Sequence, residues 1–169
     1  GKEKDSTACG VLTQDIKFYP NVLNNDGSLS NKASDYIIWD PIRNFSGIFD
    51  GQGHTISGVY LKTSHVIGGG LFTNIIGSNN NDEVAIKNLG ITNSFFSDGG
   101  NSAAIAGRVD GKVSIENCFS TSTINGNGGT AGLVGLVYTQ SELTIKNSFN
   151  AGVIKGWRKR AKGGLIGWV

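Results

Sequence analysis

Asp50 and His54, in the string Asp-Gly-Gln-Gly-His, are the carboxylate and imidazole that lie closest together in this chain of 169 residues. Such a pair could work as an acid and a base, or as half of a metal site, with Asp15 or Asp40 as a third group. The structural alternative has the Asp50 carboxylate bonding turn amides and His54 opening a strand on its solvent side. His65 stands alone in a loop. Cys9 and Cys118 match no zinc spacing, and both are expected to be free thiols. The acidic run Asn79 to Glu83 lacks the spacing of a calcium loop, so neither a metal nor a cofactor is expected.

A second chemical feature is the run Gly156-Trp-Arg-Lys-Arg-Ala-Lys162. The net charge of +2 hides five cations within it and beside it, Lys155, Arg158, Lys159, Arg160 and Lys162, which leave the remainder acidic. Around Trp157 these cations form a candidate ligand-binding loop for an acidic glycan or another polyanionic surface, with the indole stacking on a sugar. Nucleic acid ranks lowest, because no basic stripe continues elsewhere. The alternative is a solvated loop whose charges keep a sheet edge from pairing with itself.

These groups must be positioned by strands. The chain holds 26 Gly, 17 Asn and only two Pro, with Ile and Val together far outnumbering Leu, a composition of short strands and sharp turns. No 18-residue apolar run is present to span a bilayer. Self-alignment superimposes Val84-Ala-Ile-Lys-Asn88, Val113-Ser-Ile-Glu-Asn117 and Leu143-Thr-Ile-Lys-Asn147, at steps of 29 and 30 residues. Each is followed by a second apolar stretch and then by Ala104-Ile-Ala-Gly107, Gly132-Leu-Val-Gly135 or Gly164-Leu-Ile-Gly167. An earlier copy, Thr55-Ile-Ser-Gly58, places Gly58 in the Asn column.

Gly and Asn are the residues that adopt the left-handed backbone most readily, so the column Gly58, Asn88, Asn117, Asn147 reads as a recurring bend. Stacked amides there would bond to one another as a structural ladder. Before the bend, Ile86, Ile115 and Ile145 alternate with Lys87, Glu116 and Lys146, one face inward and one outward. The expected fold is all-β: a right-handed parallel β-helix, or β-solenoid, with three short strands per repeat. About four coils are expected, at 45–83, 84–112, 113–142 and 143–169, after an irregular N-terminal coil or cap at 1–44. Within that cap Val11 to Ile16 and Tyr36 to Trp39 read as strands, and Asn24 to Ser28 as a turn. A start without Met and a stop inside a motif suggest a piece of a longer chain, whose remainder would be a partner.

The string Phe45-Ser-Gly-Ile-Phe-Asp-Gly-Gln-Gly-His-Thr-Ile-Ser-Gly58, with Gly69-Gly-Leu-Phe72 and the later Gly-Leu-Val-Gly135 and Gly-Leu-Ile-Gly167, resembles the GLUG-motif repeat family. The sequence departs from that motif at Thr73, Ala104 and Ala106. The resemblance covers about residues 8–169. It implies a bacterial cell-surface or secreted location and a non-catalytic structural or adhesive segment, as found beside immunoglobulin-A-cleaving peptidase domains and in adhesins. Since the Asp50 to His54 string belongs to the resemblance, a fold-defining corner is favoured over a catalytic pair. The runner-up is a carbohydrate-active parallel β-helix enzyme or its remnant, which would need carboxylates clustered on one strand face.

Overall fold

The computed structural model of the protein describes residues 9–64, 68–77, 83–156 and 161–169. Its strands pair in parallel, each with its equivalent about 30 residues away, and stack into a β-solenoid. The first sheet holds Gly10–Val11, Ile48–Asp50, Ala85–Lys87, Lys112–Glu116 and Glu142–Lys146. The second holds Ile16–Lys17, Thr55–Ser57, Gly90–Thr92, Phe119–Ser120 and Phe149–Asn150. Tyr60–Lys62, Phe95–Ser97, Thr123–Gly126 and Val153–Gly156 make the third. Phe72–Ile76, Ala106–Asp110, Val134–Val137 and Ile166–Trp168 make the fourth. Helical structure among the described residues amounts to one 3-10 turn, Ala33–Asp35.

The expected three strands per coil are therefore four. Gly90–Thr92 is only three residues long and lies between left-handed corners at Asn88 and Asn93, too short to show an alternation in sequence. Register also corrects the earliest repeat. Phe49, not Ile56, sits over Ile86 in the column that continues to Ile115 and Ile145, while Ile56 pairs with Ile91. Gly58 therefore lies beside Asn93, in the second corner, and not in the column of Asn88. Gly58, Asn93 and Asn88 are all left-handed (φ 73°, 44° and 52°), so residue type alone could not separate the two corners here.

The corrected register completes a charge column on the outer face of the first sheet: Asp50, Lys87, Glu116, Lys146, alternating in sign along its length. Lys146 lies 3.7 Å from Glu116, and Lys87 pairs with Glu83. Alternation avoids like charges on facing strands, although exposed pairs contribute little each. Inside, Ile86, Ile91, Phe96, Ile115, Ile124 and Leu133 are fully buried in one continuous core. Cys118 packs into it, and burial pushes its thiol up to about 11, while Cys9 is exposed; both are free.

The glycine-rich motif has a steric cause. A Cβ on Gly135 would come 2.8 Å from the Gly107 carbonyl oxygen, and one on Gly167 would come 2.6 Å from that of Gly135. Close backbone approach between coils thus requires Gly in this column. Thr73 occupies its first position without a coil of that kind above it; its hydroxyl donates to Asn74 Oδ1 at 2.8 Å.

The N-terminal residues wind once and make an excursion. Gly10–Val11 and Ile16–Lys17 join the first two sheets, with a corner between them where an unbroken strand was expected. Residues 19–36 then lie along the outside of the third sheet, where Val22, Tyr60 and Phe95 form a second small core with Tyr19 and Tyr36. The turn at 24–28 forms as expected, closed by Asn24 N–H to Ser28 O at 2.9 Å, and Thr123 Oγ1 donates to Gly27 O at 2.6 Å. The chain returns over the end of the stack, where Ile42 and Phe45 bridge to Phe72 and Ile75. Tyr36 to Trp39 is not a strand. The Trp39 backbone N–H reaches Tyr60 O at 2.7 Å and its indole Nε1 reaches Leu71 O at 3.4 Å, while Ile37 is 80% exposed.

Candidate functional site

The structure separates the two candidate catalytic groups. Asp50 Oδ1 accepts the Gln52 N–H at 2.8 Å and the Asn88 amide at 2.9 Å, and Oδ2 faces the Gln52 amide at 3.2 Å. Its lone pairs are used to hold the corner. His54 turns instead to Asp15, with Nδ1 3.5 Å from Oδ1, and that same oxygen accepts the Thr55 N–H at 2.8 Å. Asp40 pairs with Arg43 at 3.5 Å. Asp15, Asp40, Asp50 and His54 are thus distributed over three local pairings.

Asp50 terminates a ladder of side-chain amides. Asn88 donates to Asp50, Asn117 donates to Asn88 Oδ1 at 2.9 Å, and Asn147 donates to Asn117 Oδ1 at 3.2 Å. All three Asn are left-handed, which aims their amides along the stack. The Asp50 carboxyl is held below the usual carboxylate range, chiefly by the Asn88 amide and then by the Gln52 N–H. A depressed folded pKa stabilises the fold above the unfolded value of about 4 and loses that contribution as pH falls through the folded value. Asp50→Asn keeps an oxygen acceptor for Asn88 without the titration. The variant is expected to lose less stability than the parent between about pH 4 and about pH 2. Denaturant midpoints measured across that range check it, and parallel profiles would remove Asp50 from the acid response.

Of the basic loop, Trp157, Arg158, Lys159 and Arg160 lie outside the described residues, as do His65 and Asn79 to Asp82. Lys155 and Lys162 are exposed. Among the described residues no group of three or more His, Cys, Asp or Glu side chains could hold a metal ion. No helix of the described residues is long and apolar enough to cross a membrane.

What sequence reading missed is a groove at the returning segment. It has a cavity volume of about 300 Å³ and is walled by Trp39, Asp40, Arg43, Leu61, Thr73 and Asp98. A second hollow of about 240 Å³ adjoins it across Ile38, Trp39 and Asp40, and reaches Phe18, Tyr19 and Tyr60. Trp39 Nε1 donates to Leu71 O at 3.4 Å, and its ring meets Phe18 edge-on with centroids 5.4 Å apart. Sequence read Tyr36 to Trp39 as a strand; it did not show that Ile37 and Ile38 would be exposed, at 80% and 53%.

No family model matches the chain, and no solved structure does. A stretch of 101 residues, 59% of the chain, is 33% identical to halomucin of Haloquadratum walsbyi. The chain spans about 1% of the length of that protein. Halomucin comes from an archaeon, so the similarity lends no support to a bacterial source.

Proposed function

We propose that the chain is a non-catalytic structural or adhesive β-solenoid segment of a cell-surface or secreted protein, in keeping with its resemblance to the GLUG-motif repeats. The observation that carries this reading is the ladder from Asp50 to Asn147, which spends the best candidate acid on coil-to-coil hydrogen bonds. Rungs tied by side-chain amides and close Gly contacts make a rigid spacer, suited to presenting a surface outside a cell. Similarity to a protein whose name denotes a mucin supports an extracellular setting. Incubation with a panel of acidic and neutral polysaccharides tests it. Retention on a polysaccharide with no new reducing ends or unsaturated products is expected. Product formation abolished by Asp50→Asn or His54→Ala would establish the enzyme reading instead.

A further inference from the structure

We infer that the outer edge of the last coil pairs with the same edge of a second copy of this chain, tail to tail about a two-fold axis through Thr144. The inference goes beyond the proposed function and holds for a binding segment and an enzyme alike.

The strand Glu142–Lys146 closes the first sheet, and among the described residues nothing pairs with its far side. Of the outermost strands of the four sheets at this end it is the longest, and it alone carries both signs of charge. The core thins out around it: Ile86 and Ile115 are fully buried, whereas Leu143, Ile145, Leu165 and Ile166 are only partly covered. Such an edge is a template for another strand.

Which strand it takes is decided by the order of its residues, Glu-Leu-Thr-Ile-Lys. Laid antiparallel to itself about Thr144, the strand sets Glu142 against Lys146 of the second copy, Leu143 against Ile145 and Thr144 against Thr144. Directly opposed residues share a face, so the charges meet outside and the aliphatic side chains inside. The backbone is in phase with this register. Glu142 N–H donates to Gly111 O at 3.0 Å and Lys146 O accepts the Asn117 N–H at 3.1 Å, so the backbone groups of Glu142, Thr144 and Lys146 face the coil before. Those of Leu143 and Ile145 therefore point to the open side, and these are the residues that the two-fold opposes as hydrogen-bonded pairs.

Charge favours a second copy over other occupants. Glu142 lies 3.6 Å from Lys112 and Lys146 3.7 Å from Glu116, so the alternation of sign runs on across the axis: Asp50, Lys87, Glu116 and Lys146, then Glu142 and Lys112 of the second copy. A foreign strand would have to bring an acid opposite Lys146 and a base opposite Glu142; a second copy carries both. Head-to-tail stacking would instead lay Gly10–Val11, two residues without charge, on this edge. Chain order places the second sheet after the first and the fourth before it, so the axis also brings the exposed Phe149 edge of one copy to the exposed Trp168 edge of the other. Pairing of like ends closes at two copies, since each uses the same patch.

Sedimentation of the whole chain, at about 300 mM salt to screen the basic runs of the two copies, is expected to show a reversible monomer–dimer equilibrium with no larger species. Glu142→Lys and Lys146→Glu, each alone, place like charges across the axis and are expected to weaken the dimer roughly tenfold or more while keeping the parent far-UV spectrum. Mixing the two variants restores opposite charges at both contacts and is expected to give dimers holding one chain of each. In a Cys9→Ser background, Thr144→Cys is expected to form a disulfide-linked dimer with oxidised glutathione, because opposed Cα atoms at such a pair lie about 4.5 Å apart, within the range a disulfide bridges. Glu142→Cys, which faces Lys146 and not itself, should stay unlinked. A chain that remains monomeric, growth past two copies, mixed variants that fail to associate, or linkage through Glu142→Cys in preference to Thr144→Cys would each overturn the inference. None of these readouts involves a polysaccharide, so their failure leaves the proposed function standing.

Discussion

Ile115→Ala is expected to destabilise the fold by about 2–5 kcal/mol, the usual range for emptying a buried aliphatic site. Ile115 is fully buried between Ile86 and Ile145 in the first sheet, with core side chains from the other sheets facing it. Strands hydrogen-bonded above and below cannot collapse into the space left by the lost carbons, so the upper half of the range applies. At this chain length each kcal/mol lowers the melting temperature by about 2–4 °C. Glu116→Ala, one residue along and on the outer face, removes a partly exposed partner of Lys146 and should cost less than about 1 kcal/mol. Equal losses at both positions would mean that the inner and outer faces are misassigned.

Gly58→Ala is expected to cost a further large amount for a different reason. Gly58 has φ 73°, and a Cβ there would run into the backbone N and O of Tyr19. Left-handed strain contributes about 1–2 kcal/mol and forced displacement of packed atoms about 1–3 kcal/mol, giving about 2–5 kcal/mol together. The displaced atoms belong to the excursion over the third sheet, so Tyr19, Val22 and Tyr36 should lift away and carry the Trp39 groove with them. Limited proteolysis between residues 18 and 38, read beside the melting curve, checks this. Gly53→Ala is the control: φ is 82°, but a Cβ there meets nothing within 4 Å, so only the backbone strain remains. Matching effects at the two glycines would show that the Tyr19 contact carries no weight.

Together the two substitutions separate what holds the coils from what holds the excursion. The first acts on a column repeated in every coil, and its effect spreads because each coil buries the face of the next. The second acts at a single contact between a corner and a segment with no counterpart lower in the stack. A protein that lost the excursion while keeping its coils would retain the Asn ladder and lose the groove.

The repeated coils were legible in the sequence because their determinants are local. An alternation of Ile with Lys or Glu specifies an inner and an outer face, Asn at the end of each strand specifies a left-handed bend, and a spacing near 30 aligns one coil on the next. From Asn88 to Asn147 these signals recur together, and the ladder follows. The first repeat was misread because apolar-x-Gly describes both corners of a coil; only the hydrogen-bonded register set Gly58 against Asn93 and put Asp50 at the head of both the ladder and the charge column. The fate of Asp50 and His54 had the same character, since closeness in sequence fixes neither side chain's partner, and Asp15, some forty positions earlier, took the histidine. The groove depended on tertiary structure most of all. Its walls come from an aperiodic segment around Trp39 and from three separate places in the coils, at Leu61, Thr73 and Asp98, and only the winding of the chain brings residues that far apart in sequence to one surface.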